Sequence, residues 1–130
     1  MKKLIVLALS LTCIAFVSAC GTEKEDSLAS GVYTLQNVES DVPGDFTITI
    51  YEDGTFHCYE SPISSYFGRG HYSVENGIVT LKEDEDGSSG DVNYYRIEDD
   101  GLSFILEDSA NYHLITLEDG AVFERTSDVP

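Results

Sequence analysis

An acidic or amide residue followed by glycine recurs four times between apolar runs, at Asp53-Gly54, Asn76-Gly77, Asp100-Gly101 and Asp119-Gly120. Such dipeptides tolerate positive φ, which suits the type I′ and bulged turns that join antiparallel strands. Each lies in the same local frame, as in Ile50-Tyr51-Glu52-Asp53-Gly54-Thr55-Phe56 and Val74-Glu75-Asn76-Gly77-Ile78-Val79. The pattern predicts four hairpins.

The runs between the turns alternate. Phe46-Thr47-Ile48-Thr49-Ile50 does so strictly, and Tyr95-Arg96-Ile97 and Leu102 to Leu106 follow the same period of two, the mark of half-buried strands. No window of a dozen residues carries a helical stripe. With Gly31 to Val38 leading, the spacing predicts eight or nine strands, at 32–38, 45–51, 55–60, 69–75, 78–82, 92–98, 102–107, 113–117 and 121–125. A meander of that many short strands leaves a vulnerable edge unless it closes. The expected fold is therefore all-β, an antiparallel meander rolled into a small barrel, with a two-sheet sandwich as the alternative. Tyr33, Phe46, Phe56, Tyr72, Tyr95 and Phe104 are expected to point inward, which leans towards a packed interior and leaves a hollow one open.

Function belongs in the loops. The connection Ser61 to Gly68 is the most distinctive, Ser-rich with Pro62 and the pair Tyr66-Phe67. Tyr59, Tyr66 and Phe67 are candidates to line or cap an apolar ligand site at a barrel mouth, or else to plug it. The acidic loop Glu83 to Asp91 fails as an EF-hand, because a frame with Gly87 at its glycine puts Lys82 and Asn93 at the terminal ligand positions. His57, His71 and His113 form no zinc-type pair, and no Gly-x-Ser-x-Gly elbow or phosphate-cradling loop is present. Neither catalysis, a metal nor a cofactor is expected.

At the N-terminus, Lys2 and Lys3 precede a weakly polar run from Leu4 to Val17, fourteen residues. At about 1.5 Å per residue a helix of that length falls short of a roughly 30 Å hydrocarbon core, so a signal-peptide helix is favoured over a membrane span. Val17-Ser18-Ala19-Cys20 follows, and this resembles the lipobox of bacterial lipoproteins. The resemblance implies cleavage between Ala19 and Cys20, attachment of diacylglycerol to the Cys20 thiol, and a protein held on the extracytoplasmic face of the cell membrane. Acyl chains contribute about 0.8 kcal/mol per buried methylene, so two or three of them anchor stably.

This divides the chain into a signal peptide at 1–19, a lipidated Cys and flexible tether at 20–30, and one domain at 31–130. Losing 19 of 130 residues leaves 111, and losing Lys2 and Lys3 takes the basic count from 7 to 5 against 24 acids, a net charge of −19. Such a chain repels nucleic acid and anionic surfaces. Its partners are expected to be the membrane, through Cys20, and a small apolar ligand or a basic protein. Cys13 leaves with the signal peptide and Cys20 is taken by lipid, so Cys58 has no disulfide partner and the core must hold the fold alone. A buried, inert Cys58 and a monomer are expected.

The order Gly31-Val32-Tyr33-Thr34-Leu35, then Asp53-Gly54-Thr55-Phe56, then Gly70-His71-Tyr72-Ser73-Val74 with Asn76-Gly77-Ile78-Val79, resembles small lipocalin-like β-barrel lipoproteins of Gram-positive bacteria. Ser61 to Tyr66 and Asp119 to Phe123 are similar to stretches of clostridial exported proteins of that type. The resemblance implies a barrel acting as a binding module, and carries over no catalytic residue. A barrel holding a small apolar ligand or envelope component is thus the leading expectation, and an acidic interaction module with a filled core the alternative.

Overall fold

A computed structural model describes residues 27–37, 44–62 and 67–130, and among them every regular element is a strand. The strands are β1 (Gly31–Leu35), β2 (Thr47–Ile50), β3 (Thr55–Tyr59), β4 (Gly68–Glu75), β5 (Ile78–Glu83), β6 (Val92–Glu98), β7 (Gly101–Ile105) and β8 (Val122–Ser127). Each pairs antiparallel with the next, and β8 returns to β1 with a register shift between Val32 and Tyr33. The result is a closed up-and-down barrel. Hydrogen bonding runs unbroken round the ring, which excludes the sandwich. The expected signal helix, the Ala19–Cys20 cleavage point and Tyr66 lie outside the described residues.

Turn chemistry explains most of the connections. Asn76 and Gly77 both have positive φ, 52° and 76°, and Glu75 pairs with Ile78, so β4 and β5 meet through a two-residue I′ turn. At Asp53-Gly54 the Gly54 N–H donates to Tyr51 O and Gly54 takes φ 92°, a turn widened by one left-handed residue. Asp100-Gly101 departs from the expected pattern. There the turn is Asp99-Asp100, and Gly101 opens β7 because a Cβ on it would stand 2.0 Å from the Phe123 carbonyl oxygen of β8.

The expected strand at 113–117, and with it the fourth hairpin, is corrected. Gly120 has φ 83° and does make a turn, but the segment before it is not extended. Asn111, at φ 69°, reverses the chain there. Its side chain then takes the bonds a ladder would have made: Oδ1 accepts from Tyr112 and Leu117 N–H, and Nδ2 donates to Leu117 O. The segment therefore folds over the barrel end, with Tyr112, Ile115 and Leu117 pointing in and buried.

Alternation sets the inner face. Ile48 and Ile50 of β2, Phe56 and Cys58 of β3, Val79 and Leu81 of β5, Tyr95 of β6, Leu102 and Phe104 of β7 and Phe123 of β8 form one core with Tyr33 and Phe46. Burying side chains of this size contributes about 1.5–3 kcal/mol each. Rings meet edge to face along the axis, Phe46 on Tyr112 at 4.8 Å, Phe46 on Phe123 at 5.2 Å and Tyr95 on Phe104 at 5.4 Å. Of the aromatics expected inside, Tyr72 is the one only half-buried, against the same core.

The two barrel ends differ. Three tight turns, after β2, β4 and β6, gather at one end, where β1 begins and β8 finishes. At that end Leu28 packs on the core, Tyr33 donates its hydroxyl to Ala29 O at 2.7 Å, and Arg125 Nε donates to Ser30 O at 2.9 Å. The stretch assigned to the tether thus meets the barrel already at 27–30. The longer connections, after β1, β3, β5 and β7, all lie at the far end.

Candidate functional site

Among the described residues, the inward side chains leave no room around themselves. Ile48, Ile50, Val79, Tyr95, Leu102 and Phe123 are 0% exposed, so no water-sized space touches them. The far end is stoppered by the 111–117 segment. Tyr112 reaches down to Tyr95, hydroxyl to hydroxyl at 2.6 Å, while the buried carboxylate of Glu60 accepts the Leu114 and Ile115 N–H at 3.1 and 3.0 Å. Asn93 Oδ1 accepts Asn111 N–H at 2.7 Å. Beside it, Glu83 is buried and accepts the hydroxyls of Ser88 and Ser89, so these two carboxylates hold loops in place.

Cys58 is buried within this layer, as expected. Desolvation pushes its thiol far above the ordinary range, and also raises the Tyr95 and Tyr112 hydroxyls. A thiol held protonated is no nucleophile.

The outer wall is different. On β3 the same alternation that sends Phe56 and Cys58 inward sends Thr55, His57 and Tyr59 outward. Tyr51, just past β2, donates to or accepts from His57 Nδ1 at 3.0 Å, with ring centroids 4.9 Å apart. Phe67, leading into β4, stands 4.7 Å from the His57 ring and 6.2 Å from that of Tyr59. The four rings make a continuous ridge along β3, and Phe67 is 43% exposed. Arg69 lies across from His57 on β4, and Thr49 across from it on β2.

Of the residues singled out from the sequence, Tyr59 and Phe67 are thus brought together, on the outside of the barrel and not in a mouth. Tyr51 and His57 complete the ridge and were not among them. The signal available for them was the outward register of β2 and β3, which places both on the wall that carries Tyr59.

The histidines do not assemble into a metal site. His57 and His71 sit on neighbouring strands, His71 pairs with Asp84 at 3.3 Å, and His113 is 3.9 Å from Asp91. Among the described residues no three His, Cys, Asp or Glu side chains are grouped to hold a metal ion, and no helix is long and apolar enough to cross a membrane. Compared with protein-family models, curated proteins and solved structures, the chain finds no match.

Proposed function

We propose that this is a lipid-anchored, extracytoplasmic barrel that binds an envelope component on its outer wall. The observation that carries the second half is the filled interior: an apolar cargo would have to displace Tyr112, Ile115 and Leu117, which are 8%, 7% and 3% exposed and tied by side-chain hydrogen bonds. The exposed ridge of Tyr51, His57, Tyr59 and Phe67 supplies the alternative surface. Concentrated aromatic area outside a core is the usual character of a binding face.

The anchor rests on the likeness of Val17 to Cys20 to a lipobox. With Cys20 lipidated, the tight-turn end, where the chain enters at Ser27, faces the membrane, and the β3 ridge stands upright on it. Two measurements test the reading. Cys20→Ser in the full-length protein is expected to move it from membrane to soluble fractions with the barrel folded; a variant still membrane-bound overturns the anchor. Weighed intact under gentle and then denaturing conditions, the purified protein is expected to carry no apolar small molecule, and a retained one overturns outer-wall binding.

A further inference from the structure

The outer wall of β2, β3 and β4 carries the aromatic ridge. Net charge is −17 over 130 residues, with 24 acids, yet Ser61 to Val74 contains none. The outward side chains are Thr47 and Thr49 on β2, Thr55, His57 and Tyr59 on β3, and Arg69, His71, Ser73 and Glu75 on β4. The wall's carboxylates sit at the rims, with Glu75 closing β4, Asp84 against His71 and Asp53 against Thr55, while Tyr51, His57, Tyr59 and Phe67 between them carry none.

We propose that this face binds a carbohydrate chain, its sugar rings stacking along the ridge of Phe67, Tyr59, His57 and Tyr51. Three observations favour that occupant. The weakly polarised C–H face of a sugar ring complements the negative face of an aromatic ring, and Phe67 offers one at 43% exposure. Hydroxyl, imidazole, phenol and guanidinium groups flank the ridge and both donate and accept, which suits vicinal sugar hydroxyls. A closed barrel has no free strand edge, which removes the commonest way of adding an extended peptide to a sheet. Thr55 to Tyr59 spans roughly 13 Å at about 3.3 Å per residue, enough for a short run of sugar rings. A basic protein would instead sit on the acidic remainder.

The inference rests on the outer-wall reading and is independent of the anchor. It is tested with the full-length protein on an array of neutral and acidic oligosaccharides, including N-acetylhexosamine oligomers and hyaluronan fragments. Binding to at least one class is expected, weakened about tenfold or more by Phe67→Ala and by Tyr59→Ala, restored by Phe67→Tyr, and unchanged by Leu106→Ala at an exposed apolar position elsewhere. Binding to acidic members alone supports the same face with Arg69 as the charge partner, and is then expected to fall with Arg69→Gln. No binding across the array, or binding that Phe67→Ala and Tyr59→Ala leave untouched, overturns it.

A photo-crosslinking residue at position 67 in producing cells separates this failure from a wider one. A protein adduct without carbohydrate overturns the glycan and keeps the outer wall as the working surface. No adduct of any kind overturns both.

Discussion

The hydroxyls of Tyr95 on β6 and Tyr112 on the closing segment meet at 2.6 Å inside the barrel, joining stopper to wall. Tyr112 also has the Cys58 thiol as a partner. The two tyrosines are therefore unequal. Tyr112→Phe strands the Tyr95 hydroxyl and is expected to cost about 1–3 kcal/mol, whereas Tyr95→Phe leaves Tyr112 bonded to Cys58 and costs less, about 1 kcal/mol. The double variant is expected to cost less than the sum of the singles. Urea unfolding of the four proteins measures this, and strict additivity would show that the contact contributes nothing.

Glu60 pins the same segment from the side. In Glu60→Ala the N–H groups of Leu114 and Ile115 lose a charged acceptor, an expected loss of about 3 kcal/mol, while Glu60→Gln keeps a carbonyl oxygen in place and loses about 1 kcal/mol. The readout that separates local from global loosening is amide hydrogen exchange. Exchange at 114 and 115 should quicken in Glu60→Ala more than exchange in β5 or β6.

Stability should fall on the alkaline side. Burial raises Tyr95 and Tyr112 well above the ordinary 10.0, and Cys58 above 9.0. As pH rises the unfolded chain gives up these protons first, so it binds fewer than the folded chain and unfolding is favoured. The contribution is intact below pH 9.0 and then shrinks, first through Cys58 and from 10.0 through the tyrosines. Each group withdraws up to about 1.4 kcal/mol per pH unit. The urea midpoint is expected to be insensitive to these groups near neutrality and to drop steeply above 10.0, with Cys58→Ala removing the earliest part of the decline. A midpoint that holds level through this range would mean the hydroxyls reach water.

Much of the barrel is legible in the chain because its rules are local. Asn76-Gly77 can hardly be anything but a tight turn, and Thr47 to Ile50 alternates so cleanly that its inner face follows at once. Closure was inferred from strand number, and the β1–β8 pairing supplies it. What escaped was set by single residues acting at a distance. His113 to Leu117 has apolar residues at 115 and 117, which suits a strand equally well; only Asn111, turning left-handed and spending its side chain on Tyr112 and Leu117, makes it a stopper. Gly101 looked like a turn residue, and is there because the Phe123 carbonyl leaves no space for a Cβ. The ridge is half legible: Tyr59 and Phe67 are aromatics flanking a loop, whereas Tyr51 and His57 join them only through the outward register of two strands.

Val32 pairs with Ser127, so the chain enters and leaves the barrel side by side. The ring of strands consequently has no intrinsic beginning. Joining residues near 30 to those near 128 with a short linker and reopening the backbone at Asn76-Gly77 should give a circularly permuted protein with the same eight neighbours, its new ends emerging at the same rim. A binding wall on β2 to β4 would keep its place in that molecule, now free of any particular order of synthesis.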